Sequence, residues 1–214
     1  MTTVLLEARD LTFSYTPDHP IIDGWSAEFP RGSTTALTGT SGRGKSTLLY
    51  LLGLMLRPTG GDILIGSEQA SRSSDGARSH LRASRYGFVF QDAALDTTRT
   101  VLDNVTETAL YRNVSRRSVE GSARDLLHRF GVDLAADRKP GQVSGGQAQR
   151  IALCRALLGN PDIILADEPT GNLDPSTAAV VVSALKEQAT AGATVVIVTH
   201  SPDVAAACDR EIVL

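Results

Sequence analysis

Hydrophobic residues along the chain occur in two kinds of run. Short runs with an apolar centre, bounded by glycine, proline or polar residues, have the length of buried strands, and the runs at 162–167 and 194–200 are strongly apolar. They cover residues 34–39, 61–66, 86–91, 162–167 and 194–200. Runs with helical spacing lie between them, and Arg57-Pro58, Gly131 and Pro161 mark three of their ends. These predicted helices cover residues 46–56, 119–130, 147–160 and 177–190.

Apolar strands that alternate with helices are typical of a parallel sheet covered on both faces. Two further segments, residues 5–15 and 25–29, predict an antiparallel β portion near the N-terminus. Residues 92–160 are mostly helical in pattern. The expected fold class is therefore α/β with a mostly parallel sheet. We expect one domain over residues 1–214, with a core of about 1–91 and 161–214 and a helical subdomain of about 92–160.

Composition narrows the class of protein. The 214 residues are 42% hydrophobic and 21% charged, which is enough apolar content for a substantial core. A net charge of −3 argues against a nucleic-acid partner, because phosphate-backbone contacts need a concentrated excess of Lys and Arg. Cys154 and Cys208 lack metal-ligand spacing and predict free thiols in a reducing compartment.

Targeting signals are not evident in the sequence. The first 15 residues carry acidic side chains where a secretory signal has basic and apolar regions. The longest apolar-rich run, residues 48–56, is nine residues long, whereas a membrane-spanning helix needs about 20. We therefore expect a cytoplasmic protein that does not itself cross a membrane.

The segment GTSGRGKSTLL, residues 39–49, joins a predicted strand to a predicted helix. It matches the pattern G-x-x-x-x-G-K-[ST], in which glycines let backbone N–H groups converge on phosphates at a helix N-terminus. Lys45 is expected to reach the β- and γ-phosphates, and the Ser46 hydroxyl to hold Mg²⁺. The predicted nucleotide-binding residues here are Gly39, Thr40, Ser41, Gly42, Arg43, Gly44, Lys45, Ser46 and Thr47.

A pair of acids ends another apolar strand, in the segment IILADEP. Two carboxylates at the end of a buried strand are costly unless a cation or a reaction uses them. Asp167 is expected to help hold Mg²⁺. Glu168 is expected to orient and deprotonate an attacking water. The alternative is a solvated turn.

The segment VSGGQAQR, residues 143–150, begins another predicted helix. Adjacent glycines after a serine expose N–H groups at the helix end, which predicts a second anion-binding helix terminus. By itself, a serine followed by two glycines is also a common flexible turn.

In this order, the motifs resemble the nucleotide-binding subunits of ATP-binding cassette (ABC) transporters, from Tyr15 to the last strand. The resemblance implies a phosphate-loop NTPase core with the ABC ATPase fold, and two subunits that sandwich two ATP molecules. Ser144, Gly145, Gly146 and Gln147 then close over ATP held by the opposite subunit. Val143 replaces the more usual leucine, which is an apolar-for-apolar change.

The same resemblance assigns roles to four further residues. Gln91 is expected to contact Mg²⁺ and the attacking water and to sense the membrane partner. Asp174 closes the loop GNLD, which crosses the subunit interface, and His200 is expected to hydrogen-bond the γ-phosphate. Tyr15 corresponds to the aromatic residue that stacks on adenine, although Tyr15 or neighbouring Phe13 could instead belong to the core.

The segments GFVFQ and DEPTGNLD resemble the branch that contains lipoprotein-release, macrolide-export and antimicrobial-peptide-resistance ATPases. This implies an ATPase that dimerises on ATP, with a second copy or a homologous subunit. It would power a separate transmembrane permease from the inner face of the membrane. Relatives usually carry a proline before the threonine-valine pair at residues 100–101, in the region that docks against the permease, and this chain does not.

Two alternatives remain at this point. One is a signalling module in which hydrolysis regulates an envelope or cell-division enzyme through a membrane protein, with nothing transported. The other is a soluble ATPase of the chromosome-maintenance or translation class, which would need long coiled-coil insertions or a second cassette. The sequence contains neither of these features.

Overall fold

The structure is a computed structural model that describes residues 3–16, 19–171 and 173–214. Its strands are β1 Val4–Ser14, β2 Pro20–Pro30, β3 Ser33–Thr38, β4 Gly60–Ile65, β5 Glu68–Gln69, β6 Tyr86–Val89, β7 Ile163–Asp167, β8 Thr194–Val198 and β9 Arg210–Val213. Its α-helices are α1 Lys45–Leu52, α2 Asp75–Arg85, α3 Val101–Tyr111, α4 Arg116–Arg129, α5 Gly145–Leu157, α6 Pro175–Thr190 and α7 Pro202–Ala207. Short 3₁₀ turns cover Ala70–Arg72, Asp133–Ala135 and Pro140–Gln142.

The strands form two sheets, which confirms the predicted fold class. An antiparallel sheet has the order β2-β1-β4-β5. A second sheet has the order β6-β7-β8-β3-β9, and all of its neighbouring strands are parallel. Because parallel strands share one direction, the segments that follow β3, β6, β7 and β8 lie at the same edge of this sheet.

The parallel sheet separates two hydrophobic cores. All five residues of β7 are buried. Because side chains alternate across a strand, Ile163 and Leu165 enter the core shared with α1 and the antiparallel sheet, while Ile164 and Ala166 enter the core shared with α3, α4, α5 and α6. This burial on both faces explains why the strand is continuously apolar in the sequence.

A mostly helical segment lies between β6 and β7, as predicted. It contains α3, α4 and α5. A reciprocal cap begins α3: the Thr100 hydroxyl accepts from the Asp103 N–H at 3.1 Å, and the Asp103 carboxylate accepts from the Thr100 N–H at 3.3 Å. Helix α4 covers most of the predicted helix 119–130 and buries Ala123 and Leu127.

The first predicted helix ends earlier than expected. Its sequence pattern extends to residue 56, but α1 ends at Leu52 and Gly53 caps it. Leu54 then has a left-handed backbone, with φ of 56°. Its carbonyl accepts hydrogen bonds from Arg78 at 2.6 Å and from Arg82 at 2.7 Å. Tertiary contacts with α2 therefore stabilise the turn four residues before Pro58.

Several elements were not predicted from the sequence. Helix α7 and strands β5 and β9 are short, and helix α2 is largely polar. Strand β4 was predicted, but it joins the antiparallel sheet. The predicted helix 147–160 begins two residues earlier, at Gly145, and ends at Leu157.

Candidate active site

The phosphate-loop residues lie at the carboxyl edge of the parallel sheet, between β3 and α1. The φ values of Gly39, Gly42 and Gly44 are 134°, 82° and 83°. Residues with a Cβ rarely adopt such values. A Cβ on Gly39 would lie 2.6 Å from the Leu214 carbonyl oxygen, and one on Gly44 would lie 2.6 Å from Ile21. The loop therefore requires glycine for both its conformation and its close packing.

The N-terminus of α1 is open. Gly44 occupies the cap position and provides no side-chain acceptor, so the first N–H groups of the helix are available to a ligand. Thr40, Ser41, Gly42 and Arg43 are exposed around it. The Lys45 ammonium donates to the Gly39 carbonyl at 2.8 Å and the Thr40 carbonyl at 3.0 Å. An ammonium has three donors, so one remains for an anion.

Ser46 and Asp167 meet beside this loop. The Ser46 hydroxyl donates to Asp167 Oδ1 at 3.2 Å. The Asp167 side chain is buried at the end of β7. Burial raises the pKa of this carboxyl above its usual value, and the Ser46 hydroxyl partly offsets that increase. A carboxylate in this setting is stabilised by a nearby cation.

Glu168 and His200 form a second pair on neighbouring strand ends. His200 Nδ1 lies 2.7 Å from Glu168 Oε1, and the His200 N–H donates to Glu168 Oε2 at 3.4 Å. The Glu168 side chain is 13% exposed, whereas that of His200 is 71% exposed. Glu168 has a left-handed backbone, with φ of 44°. Backbone strain of this kind persists where the surrounding structure fixes it, often at functional sites.

Gln91 and Tyr15 complete the group at this edge. The side chains of Gln91 and Glu168 both adjoin Gly171. If Gly171 carried a Cβ, that atom would lie 3.9 Å from the Gln91 amide nitrogen and 3.8 Å from the Glu168 Cβ. The Tyr15 hydroxyl is 3.5 Å from the Thr47 hydroxyl, and its ring stacks edge-on against Phe13. Because Tyr15 is 62% exposed, one ring face is accessible beside the phosphate loop.

Ser144 and Gln147 form a reciprocal cap at the start of α5. The Ser144 hydroxyl accepts from the Gln147 N–H at 3.3 Å, and Gln147 Oε1 accepts from the Ser144 N–H at 2.9 Å. Ser144 and Gly145 are exposed, while Gly146 faces Thr177 and Leu173. In the part of the chain that the structure describes, the side-chain hydrogen bonds of Ser144 and Gln147 are local. Among the described residues, no hydrogen bond joins this helix end to its own phosphate loop.

Asp174 caps α6. Its carboxylate accepts from the Ser176 N–H at 3.0 Å, the Thr177 N–H at 3.1 Å and the Thr177 hydroxyl at 2.7 Å. The pKa of Asp174 is strongly lowered. The hydrogen bond from the Ser176 hydroxyl is the largest cause, and the hydrogen bond from the Thr177 hydroxyl is the next. Within the described chain, this residue therefore has a local structural role before any partner is considered.

Asp174 should make the stability of the chain depend on pH. Its pKa is lower in the folded than in the unfolded chain, so its stabilising effect is present above the ordinary aspartate pKa of about 3.9 and is lost as pH falls through the lower folded value. We expect a higher urea midpoint for the wild type than for Asp174→Asn at pH 6, with the difference shrinking below about pH 4. A difference that stays constant between pH 6 and pH 3 would contradict this role.

Sequence reasoning did not select Tyr50, Gln149 or Arg155. Tyr50 lies one helical turn after Ser46, and its pKa is raised by burial and by the charge of Asp167. Its i,i+4 spacing from Ser46 was a usable signal. Gln149 and Arg155 hydrogen-bond backbone carbonyls after β6. The sequence contains no local signal for those long-range contacts.

The site combines an open helix end after a glycine loop with an acid pair at the end of one parallel strand and a histidine after the next strand of the sheet. This combination defines the class of phosphate-loop nucleoside triphosphatases. The comparisons identify the family. Residues 22–171 match the family model described as ABC transporter. The chain therefore belongs to the ABC transporter family, and it is an ABC-type ATPase.

Individual relatives agree with this assignment. The lipoprotein-releasing system ATP-binding protein LolD of Geobacter metallireducens is 41% identical over 212 residues, which cover 97% of this chain and 94% of the relative. The macrolide export ATP-binding/permease protein MacB of Nitrosomonas europaea is 39% identical over 210 residues. That match covers 96% of this chain but 32% of the relative, which is a much longer polypeptide.

Solved structures show the same fold. A dimeric structure of MJ0796, a bacterial ABC transporter cassette, has a TM-score of 0.91 at 33% identity, covering 98% of this chain and 94% of that chain. A dimeric post-hydrolysis state of MJ0796 bound to ADP and Pi has a TM-score of 0.87 at 31% identity, with the same coverage. In the described ranges of this chain, no helix has the length and apolar character needed to span a bilayer.

Proposed function

We propose that this chain is the ATP-binding subunit of a transporter of the lipoprotein-release or macrolide-export type. It dimerises on ATP, hydrolyses it and drives a separate membrane permease from the inner face of the membrane. The observation that carries the proposal is the open α1 N-terminus next to the Ser46–Asp167 and Glu168–His200 pairs. The names of the LolD and MacB relatives support the branch.

The α1 N-terminus and Lys45 bind the phosphates of ATP. Open N–H groups and an ammonium with one free donor complement the negative charge of a triphosphate. At a separation of about 4 Å and an effective dielectric near 20, one such charge pair contributes roughly 4 kcal/mol. Tyr15 stacks on the adenine through its exposed face, and this contact contributes about 1 to 3 kcal/mol by analogy with base stacking elsewhere.

Ser46, Asp167 and Gln91 hold Mg²⁺. A hydroxyl, a carboxylate and an amide oxygen are hard ligands of the kind that Mg²⁺ takes, with phosphates and water supplying the others. The described ranges contain no cluster of three or more His, Cys, Asp or Glu side chains, which fits a cation that shares its ligands with a nucleotide. When bound, Mg²⁺ neutralises charge that develops on the phosphates.

Glu168 acts as the general base. Its carboxylate is held by His200 and faces the edge at which the phosphate loop lies, so it can accept a proton from a water that attacks the γ-phosphate. Because a carboxylate only accepts, Nδ1 of His200 donates to Glu168, and the exposed second ring nitrogen donates to the γ-phosphate when the ring is an imidazolium. Both residues are present in each copy, so a homodimer has two competent sites.

A second copy, or a homologous ATPase subunit, completes each site. Ser144, Gly145, Gly146 and Gln147 form a helix end that, among the described residues, makes no hydrogen bond to its own phosphate loop, and Asp174 begins the adjacent helix α6. This arrangement supports a head-to-tail dimer in which each α5 N-terminus faces the nucleotide of the partner. The dimeric structure of MJ0796 supports a dimer of this chain.

The permease docks in a groove next to Gln91. The groove, a cavity of about 650 Å³, lies between α2, α3 and β6, and Met55, Phe88, Phe90, Tyr111 and Arg155 are among its lining residues. We propose that residues 92–160 form the helical subdomain and residues 1–91 and 161–214 the core. The groove then lies where these two parts meet, so a docked partner contacts both.

Co-expression with a lipoprotein-release or macrolide-export permease tests the proposal. We expect the two proteins to co-purify in detergent, ATP hydrolysis to need Mg²⁺, and reconstituted vesicles to release or export substrate only with ATP. Lys45→Ala in the same complex should abolish both hydrolysis and release. Co-purification and hydrolysis without any ATP-dependent substrate movement would instead favour a signalling module, and the absence of hydrolysis would refute the proposal.

A further inference from the structure

The segment Phe90–Ala94, which carries Gln91, has an unusual backbone. Ala93 and Ala94 have φ values of 57° and 47°. In the described ranges, they are the only adjacent non-glycine residues with positive φ. Left-handed backbone is unfavourable for residues with a Cβ, and alanine has no polar side chain to compensate for it. Two backbone hydrogen bonds within the segment support it, from the Ala93 N–H to the Phe90 carbonyl at 3.2 Å and from the Ala94 N–H to the Asp92 carbonyl at 2.6 Å. Side-chain contacts from outside the segment add to them.

Those contacts come from α5. Arg155 donates from Nη1 to the Ala94 carbonyl at 2.7 Å and from Nη2 to the Ala93 carbonyl at 2.8 Å. Gln149, which is buried, donates to the Phe90 carbonyl at 3.1 Å. Two parallel bonds from one guanidinium are charge-assisted and fix direction as well as distance. A single side chain thus binds the carbonyls of both strained residues.

In the described chain, the Arg155 guanidinium forms no ion pair with an acidic side chain. Glu107 is the acid whose charge acts on it, from a longer distance. The backbone carbonyls of Ala93 and Ala94 are therefore its direct partners. A side chain of this kind is sensitive to the position of the loop that it binds.

Arg155 also connects three regions of the molecule. It lies 11 residues after Ser144 on the same helix, or about 16 Å along the axis. Arg155 and Ala94 both line the groove described above. Gln91 lies between the carbonyls held by Gln149 and by Arg155. The groove, the Gln91 segment and the α5 N-terminus therefore share one rigid support.

We propose that Arg155 is a positioning residue that holds the Gln91 segment in its strained conformation and so fixes the position of Gln91. This inference rests on the proposed function for the role of Gln91.

The test uses Arg155→Gln and hydrogen exchange of the full-length, nucleotide-free chain. We expect amide exchange across residues 90–95 to accelerate at least about tenfold, because the two carbonyl contacts no longer close the segment. Arg112→Gln is the matched control. Arg112 also donates to a backbone carbonyl, that of Gly159 at 3.1 Å, but it makes no contact with the Gln91 segment. Its exchange at residues 90–95 should match the wild type.

A second comparison separates positioning from general stability. In Arg155→Gln we expect kcat for ATP to fall while KM changes by less than about threefold. Adding Ala93→Gly and Ala94→Gly should restore part of kcat, since glycine adopts positive φ without Cβ strain. If Arg155→Gln does not fold, Arg155→Lys, which keeps the charge but loses the two-pronged geometry, replaces it in both measurements.

Unchanged exchange at residues 90–95, or glycine substitutions that lower kcat further, would overturn the inference. The exchange measurement needs neither ATP nor a permease. Loss of ATP hydrolysis in the wild type would therefore refute the proposed function without affecting the exchange result, and the two failures can be told apart.

Discussion

Glu168→Gln is expected to lower the rate of ATP hydrolysis by about 100- to 10,000-fold while leaving ATP binding intact. This range is the usual contribution of a general base. Glutamine keeps the shape of the side chain and can still hydrogen-bond His200 Nδ1, which lies 2.7 Å from the Glu168 carboxylate. It cannot accept a proton from water. The variant should therefore bind ATP but hydrolyse it very slowly.

The measurement is steady-state phosphate release at saturating Mg²⁺-ATP, together with the affinity for a fluorescent ATP analogue. Glu120→Gln is a suitable control, because Glu120 pairs with Arg124 on the surface of α4, on a different helix from the site. It should hydrolyse ATP at the wild-type rate. Substantial turnover by Glu168→Gln would mean that another group deprotonates the water.

Ser144→Arg is expected to abolish the ATP-dependent dimer. Ser144 is exposed at the α5 N-terminus, which is the surface that we propose faces the γ-phosphate of the partner's nucleotide. An arginine there obstructs close approach and removes the hydroxyl acceptor that caps the helix. The change is best made in a Glu168→Gln background, in which ATP persists and the dimer accumulates.

Gel filtration with light scattering, with and without ATP, reports the outcome. Glu168→Gln alone should shift from monomer to dimer with ATP, and the double variant should remain monomeric.

Two controls isolate the cause. Ser144→Ala removes the cap hydroxyl without adding bulk, so it should weaken the dimer less. Ser115→Arg places the same charge at the N-terminus of α4, where Ser115 makes no side-chain cap bond, and should not affect the dimer. A dimer formed by the double variant would contradict the proposed interface.

Much of the core was predictable because local patterns carry its information. Strands β7 and β8 are buried and mostly apolar, and β3 is buried at its four central positions. The sequence marks the ends of these strands by composition: the glycine loop after β3, the acid pair at the end of β7 and His200 after β8. The end of α1 was less predictable. Its apolar pattern continues past Leu52, and only the hydrogen bonds from Arg78 and Arg82 to Leu54 explain where the helix stops.

The local roles of Ser144 and Asp174 illustrate a second limit. Their motifs were evident in the sequence, but the reciprocal cap at Ser144 and the hydroxyl contacts of Asp174 with Ser176 and Thr177 required coordinates. A motif indicates which residue types occur together. It does not show which hydrogen bonds each side chain already makes within its own chain.

By itself, the sequence determined the α/β class, the order of the main strands and helices, and the family of ATPase to which the chain belongs. These features depend on hydrophobic periods and motif spacings that extend over a few residues to tens of residues, so they can be recognised in the sequence. Only the tertiary structure decided that Ser46 reaches Asp167, that His200 holds Glu168 and that Arg155 holds the strained Ala93–Ala94 turn. These contacts join residues 32 to 121 positions apart, and the order of strands in the sheet, which no local pattern encodes, brings them together.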